Sequence, residues 1–328
     1  MSRSDAHDTL SQIILGSDPE LTSSEVADRA GIDLEDARRL WRALGFPDAE
    51  GTKAFVAADL EALRTVKRAL DSGALDLETT VRLTRALGNT MSRLADWQVS
   101  TLAEQIERGV DENDELSRLE SAREMSSTVG PAFEQLLVYA WRRHVAASVG
   151  RLEALGAADE DLLHAELTVG FADLVRFTSL SNGLDDAELA SMVELFESRC
   201  TDVVTQGGGR AIKTLGDSVL FVAEKPEAAV EIAVRVIEEV GSDDKIPDVR
   251  VGLGTGTVIT RLGDVYGPPV NLASRLTVVA RRNRVIADRA TAERLSDAFE
   301  CRVMPARPLR GFGNVEPVNV RRRWRYTG

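Results

Sequence analysis

The feature that most constrains this chain is a change of period near residue 155. Before it, leucine, alanine and valine recur at helical spacing from Leu60 to Leu87 and again from Met91 to Ile106. After GRLEALGAADED (150–161), strand-like runs alternate with helical ones. The strand-like runs are ELTVGFA (166–172), RAIKTL (210–215), SVLFVA (218–223), VRVGLGTGTVI (249–259) and RVIAD (284–288), with helices expected at about 186–205, 226–240 and 268–281. One packed layer cannot satisfy both periods. The pattern predicts an all-α domain over residues 1–154 and an α+β domain over 155–328, one sheet with helices on it, and 328 residues suit two cores of ordinary size.

In the first half, Thr22-Ser23-Ser24-Glu25 is a capping-box pattern, and Gly31 and Gly45 end two short helices. The segment LTSSEVADRAGIDLEDARRLWRALGF (21–46) resembles a MerR-like helix-turn-helix, whose reading helix over 33–43 would offer Arg38, Arg39 and Arg42 beside Asp33, Glu35 and Asp36. Residues 1–150 hold 26 acidic and 17 basic side chains, a net charge of -9 that attracts phosphate poorly, so an interaction or packing role is preferred to DNA binding. GVDENDEL (109–116) is a polar break. An EF-hand there needs Gly and Glu where Leu116 and Ala122 stand, which leaves a solvated acidic loop. Gly130-Pro131 is expected to start a further helix, over about 131–150.

The whole-chain charge of -13 argues against a nucleic-acid coat or an anionic membrane as main partner. No apolar run has the length of a signal peptide or a membrane span, which predicts a cytoplasmic protein. Cys200 and Cys301 fit reduced, buried residues, and three histidines suggest no zinc site.

Two glycine-rich stretches mislead. GGGRAIKT (207–214) lacks the glycine that a phosphate loop needs before its lysine, because Ile212 precedes Lys213. GLGTGT (252–257) runs on into Val258-Ile259-Thr260, another strand-like piece and not the helix of a dinucleotide fold. Its glycines instead mark a strand that another chain or a ligand approaches closely.

The residues able to carry chemistry lie in FADLVRFT (171–178), KTLGD (213–217) and GDVYGPPVNLASR (263–275). Asp173 ends a strand and Asp217 follows a Leu215-Gly216 turn. Brought together, two carboxylates suit a hard cation and leave positions for phosphate and water. Taken singly, Asp173 reads equally as a helix cap and Asp217 as a turn residue. Asn271 and Arg275, spaced i, i+4, share one helix face.

In order and spacing these motifs resemble the class III nucleotide cyclase catalytic domain, of the adenylyl type, over about residues 164–323. The resemblance implies a ferredoxin-like, palm-type α/β sandwich that converts ATP to 3′,5′-cyclic AMP and pyrophosphate. It also implies two divalent ions, Mg²⁺ or Mn²⁺, held by Asp173 and Asp217; adenine recognition by Lys213 and Asp264; and ribose orientation and charge stabilisation by Asn271 and Arg275. In such enzymes a homodimer sets the metal aspartates of one chain against the purine, ribose and arginine residues of the other, giving two composite sites. Arg310, in PLRGFG (308–313), falls near a basic position that meets the triphosphate. Val175-Arg176 departs from the family's small or glycine-bearing turn after the metal aspartate.

The domain order is similar to that of soluble, pH-responsive mycobacterial adenylyl cyclases with an autoinhibitory N-terminal domain. That makes residues 131–165 the expected transmitting element and puts His144 and His164 where a proton switch would act. The leucine- and alanine-rich faces of the helical half raise a lipid, such as a fatty acid, as a second regulator. The competing reading is a transcription regulator that senses a nucleotide without turning it over. A transition-state arginine has no use in such a protein.

Overall fold

The computed structural model describes residues 10–323 apart from 48, 110–114, 155–163, 242, 244–245 and 262. The chain divides into two compact units, Met1–Arg151 and Leu152–Gly328.

The described part of the first unit is helical: α1 (10–15), α2 (Ser23–Ala30), α3 (Leu34–Leu44), α4 (Ala57–Asp71), α5 (Leu77–Gly109) and α6 (Glu115–Ala154). The capping box forms, with the Glu25 carboxylate accepting from the Thr22 N–H at 2.8 Å and Thr22 Oγ1 accepting from the Glu25 N–H at 3.3 Å. Gly31 and Gly45 close α2 and α3 at φ 71° and 90°, left-handed angles that glycine adopts without a Cβ clash. A small core of Val26, Ala27, Ala37, Leu40, Trp41, Leu60 and Leu63 joins α2, α3 and α4, with the Phe55 ring tilted against Trp41 at a centroid distance of 4.5 Å.

The helical runs break at different places from those the spacing suggests. The run beginning at Leu60 stops at Asp71, where Ser72 and the left-handed Gly73 (φ 69°) turn the chain. Asp76 then starts α5 by accepting from the Thr79 N–H at 2.6 Å, and α5 continues unbroken through residues 88–90. Gly88 stays helical because α5 crosses the end of α3 there: a Cβ would come within 2.5–2.6 Å of the Leu44 backbone. Likewise Gly130-Pro131 starts no new helix; Pro131 lies inside α6, which runs from Glu115 to Ala154. Proline removes its own N–H from the ladder and crowds the carbonyl four residues back, a cost of about 3 kcal/mol that this 40-residue helix carries without ending. The acidic loop at 111–114 lies outside the described residues.

In the second unit the strands are β1 (His164–Leu174), β2 (Arg210–Thr214), β3 (Ser218–Ala223), β4 (Val249–Arg261), β5 (Asp264–Tyr266), β6 (Val285–Ala287), β7 (Phe299–Val303), β8 (Arg307–Leu309), β9 (Gly313–Val315) and β10 (Val318–Arg322). The main sheet has the order β2-β3-β1-β4-β6-β10-β7, with β5 folded back on β4, while β8 and β9 form a separate hairpin. Among the described residues only β4 and β6 pair in parallel. The helices are α7 (Phe177–Ser181), α8 (Asp186–Gln206), α9 (Pro226–Arg235, prolonged by a π turn to Val240), α10 (Pro268–Val279) and α11 (Arg289–Ala292).

Alternation sorts the sheet into two faces. Ala172, Leu174, Val219, Phe221, Val249, Val251 and Leu253 join Phe196 and Cys200 of α8 and the buried side of α9. Leu167, Val169, Leu220 and Val222 face the other way and pack with Ala273 of α10. The glycines of GLGTGT belong to this second face. A Cβ on Gly252 would lie 2.3–2.4 Å from Thr277 and the Ala273 carbonyl, and one on Gly254 would lie 2.8 Å from the Pro269 carbonyl. The close approach expected at these glycines is therefore made by α10 of the same chain, not by another chain or a ligand.

Candidate active site

Asp173 is the last-but-one residue of β1 and follows Phe171 onto the α10 face of the sheet. Its cross-strand neighbours are Ser218 on β3 and Arg250 on β4. Ser218 Oγ donates to Asp173 Oδ1 at 2.5 Å, and Arg250 Nε donates to Oδ2 at 2.8 Å. Asp217 stands beside them, its carbonyl accepting the Leu174 N–H at 2.9 Å. It occupies the second place of a two-residue hairpin loop closed by Leu215 N–H to Ser218 O at 2.7 Å. Gly216, at φ 69°, takes the first place, where this turn demands a positive angle.

Burial, reinforced by the neighbouring Asp173 charge, pushes the Asp217 carboxyl above the ordinary aspartate range, against the opposing pull of Arg250. Two partly buried carboxylates that repel one another suit a hard cation. Among the described residues no cluster of three or more His, Cys, Asp or Glu side chains forms. A cation here would thus take two protein carboxylates and leave its other positions to phosphate and water, so the donor set fits a divalent ion that works on a phosphate ester.

Lys213 reaches this face through a bulge. Ala211 pairs with Phe221 but Lys213 pairs with Leu220, so Ile212 is the extra residue and Lys213 is turned toward the α10 side. Its Nζ lies 2.5 Å from Asp264 Oδ2 on β5. Burial alone would raise the Asp264 carboxyl, but the Lys213 ammonium and the Val265 N–H together hold it below the usual range. The two residues assigned to the purine are therefore already partners.

Asn271 and Arg275 project from the exposed side of α10, whose opposite side buries Pro269, Ala273, Leu276 and Thr277. Among the described residues neither side chain has a hydrogen bond or ion pair. Arg310 is exposed at the turn of the β8–β9 hairpin, next to Leu309, which is buried in one cluster with Leu276 of α10. His144 on α6 and His164 at the start of β1 are both exposed. Arg176 takes the left-handed angles φ 62° and ψ 27°, which a glycine would hold more easily.

Ser218 and Arg250, which engage both oxygens of Asp173, were not legible as site residues. Ser218 reads as the residue after a turn, and Arg250 as a polar position in an apolar strand. Only the registers of β1 against β3 and β4 bring them to Asp173.

A sheet carrying paired carboxylates at a hairpin, a lysine–aspartate pair and an asparagine–arginine helix defines a nucleotide cyclase catalytic domain. The family described as the adenylate and guanylate cyclase catalytic domain matches residues 162–320, and that described as the adenylate cyclase regulatory domain matches residues 3–145. An adenylate cyclase of Streptomyces coelicolor is 39% identical over 344 residues, covering 96% of this chain and 89% of the relative. A pH-sensitive adenylate cyclase of Mycobacterium tuberculosis is 31% identical over 327 residues, covering 96% and 82%. The crystal structure of the adenylyl cyclase CyaB from P. aeruginosa is similar at 22% identity, over 50% of this chain and 98% of that one, with a TM-score of 0.45. The chain belongs to the adenylate cyclase family, with a regulatory region ahead of a class III catalytic domain.

Proposed function

We propose that the chain converts ATP to 3′,5′-cyclic AMP and pyrophosphate at a site completed by a second copy, with Asp173 and Asp217 holding two divalent ions, Mg²⁺ or Mn²⁺. The observation that carries this reading is the state of α10. Among the described residues Asn271 and Arg275 are unpaired and project from the exposed side of α10, opposite the side seated on β4, while Asp173 and Asp217 stand on the sheet itself, at the end of β1 and in the β2–β3 loop. A reaction centre that needs both sets is best completed by a partner chain.

When bound, the divalent ions lower the pKa of the ATP 3′-hydroxyl and offset the charge of the triphosphate. Lys213 donates to adenine N1 and Asp264 accepts from the exocyclic amine. Their mutual ion pair aligns both groups before the base arrives. Guanine presents an N–H and a carbonyl at those positions, so both contacts become repulsive or unpaired. Asn271 holds the ribose so that the 3′-oxygen faces the α-phosphorus. As that oxygen bonds to the phosphorus, the bond to the bridging oxygen of pyrophosphate breaks, and Arg275 meets the charge that grows on the phosphoryl group.

The regulatory region sets how readily two catalytic domains close on one another, and protons acting through His144 and His164 are the regulator we favour. A rate–pH profile of the full chain that stays flat from about pH 5.5 to 8 would rule that regulator out. The transcription-regulator alternative gains no support from α3. Arg38, Arg39 and Arg42 are engaged by Glu50, Glu78 and Glu35 of their own unit. No helix among the described residues is long and apolar enough to cross a membrane.

The test is cyclic-nucleotide production by the full chain given ATP or GTP with Mn²⁺, beside Asp173→Ala and a fragment of residues 155–328. Cyclic AMP from ATP alone, lost in Asp173→Ala, is the expected result, and a more active fragment marks the first half as inhibitory. Nucleotide binding without turnover by either wild-type protein would overturn the assignment in favour of a sensor.

A further inference from the structure

Arg250 has no part in the reading above, yet it makes the closest charged contact to the cation site. Its Nε and Nη2 lie 2.8 and 2.6 Å from Asp173 Oδ2, and its Nη1 donates to the Val278 carbonyl at 3.2 Å. Val278 belongs to the last turn of α10, the helix that carries Asn271 and Arg275. A single guanidinium therefore bridges the carboxylate at one edge of the site face to the helix of the ribose and phosphate residues. The fork matters: a guanidinium offers donors in fixed directions, so Asp173 and Val278 can be held at once.

We propose that Arg250 is a positioning residue that opposes divalent-cation binding at Asp173 and ties the state of that carboxylate to the end of α10. The proposal rests on the cation-site reading of Asp173 and Asp217. Ser218 and Arg250 together occupy both oxygens of Asp173, which fixes the carboxylate's rotamer before a cation arrives. A permanent positive charge next to a site for divalent ions weakens their binding, since the guanidinium and the ion share one carboxylate. When a cation draws on Asp173, the bond to Arg250 lengthens or weakens, and the grip on the Val278 carbonyl changes with it. In a dimer with composite sites, the α10 of a chain serves the site opposite its own Asp173. The bridge would then make cation occupancy of one site felt at the other.

The experiment is a titration of full-length protein with Mn²⁺ alone, without nucleotide. Bound ion is read from loss of the free-ion electron paramagnetic resonance signal, for wild type, Arg250→Gln, Arg250→Lys and Asp173→Asn. A unit charge acting on a divalent ion one side chain away is worth about a decade even at the dielectric of water, so Arg250→Gln should bind Mn²⁺ about tenfold more tightly. Arg250→Lys keeps the charge but cannot hold both partners. It should bind Mn²⁺ as wild type does and lose several-fold in kcat with little change in KM for ATP. Unchanged or weaker Mn²⁺ binding by folded Arg250→Gln overturns the proposal, because a merely structural arginine would leave affinity alone or lower it. Should Arg250→Gln fail to fold, Arg250→Lys decides: altered Mn²⁺ affinity, or an unaltered kcat, overturns it. Asp173→Asn separates the two levels. If it binds Mn²⁺ as wild type does, the cation-site reading itself fails; if it loses Mn²⁺ while Arg250→Gln is unchanged, only the role of Arg250 fails.

Discussion

Two helices of this protein expose much of their surface and do so in opposite ways. α6 runs for 40 residues without a buried side chain among those described, and its exposed positions include Leu136, Tyr139, Trp141 and Val145. α10 has 12 residues, seats Pro269, Ala273 and Thr277 against glycines of β4, and exposes the polar Asn271 and Arg275. A polar side chain held free on a helix with so little room to move is placed for chemistry, since its backbone cannot drift by much. An apolar side chain on a helix with no core of its own gives no such positional control. Exposure alone thus says nothing of function until the seating of the element is known.

The contrast can be broken from either side. The largest effect is expected from Arg275→Ala, which should lower kcat by about 10²–10³-fold with an unchanged melting temperature, as loss of a donor to transition-state charge commonly does. A fall confined to KM would place Arg275 in ground-state binding instead. Next comes the seat of α10. Gly252→Ala drives a Cβ to 2.3–2.4 Å from Thr277 and the Ala273 carbonyl. It should cost about 1–3 kcal/mol in denaturant unfolding and reduce activity by shifting the helix. Unchanged stability would show that α10 is loosely held.

A smaller effect concerns Asp264 on β5. Its folded-state carboxyl lies below the ordinary value, so its pairing with Lys213 stabilises the fold above about pH 4 and is lost as pH falls through the lowered value. Melting temperatures of wild type and Asp264→Asn should differ by a constant amount from neutral pH down to about 5 and converge below about 4. A gap that persists in acid would mean that the pair is not what separates them. The smallest effect belongs to α6. Trp141 is 63% exposed, and Trp141→Ser should change the unfolding free energy by no more than about 0.5 kcal/mol. A larger loss would reveal a partner surface on that helix.

Much of this was legible in local sequence. β1, β2, β3, β4 and β6 fall close to the expected runs, whereas β5 and β7 to β10 were not among them. Asp173, Lys213, Asp217, Asp264, Asn271 and Arg275 were singled out by motif and by family resemblance, and the structure sets Asp217 beside Asp173 and pairs Lys213 with Asp264. The boundaries of the long helices were less so. Leucines and alanines continue on both sides of Ser72-Gly73, and Pro131 looks like a start although an exposed helix tolerates it. The glycines of β4 were readable as a close approach but not as to which element approaches.

By itself the sequence determined the change from a helical to a mixed half and the five strand runs with alternating or apolar pattern, since these depend on neighbours a few positions away. Tertiary structure decided where the site residues point and what they meet. Lys213 faces the site only because a bulge at Ile212 advances it by one position against β3. Asp173 meets Ser218 and Arg250 only because the registers of three strands place them side by side across 45 and 77 residues of chain. The physical reason is that register is chosen by the packing of both sheet faces at once, and no short window of sequence contains both.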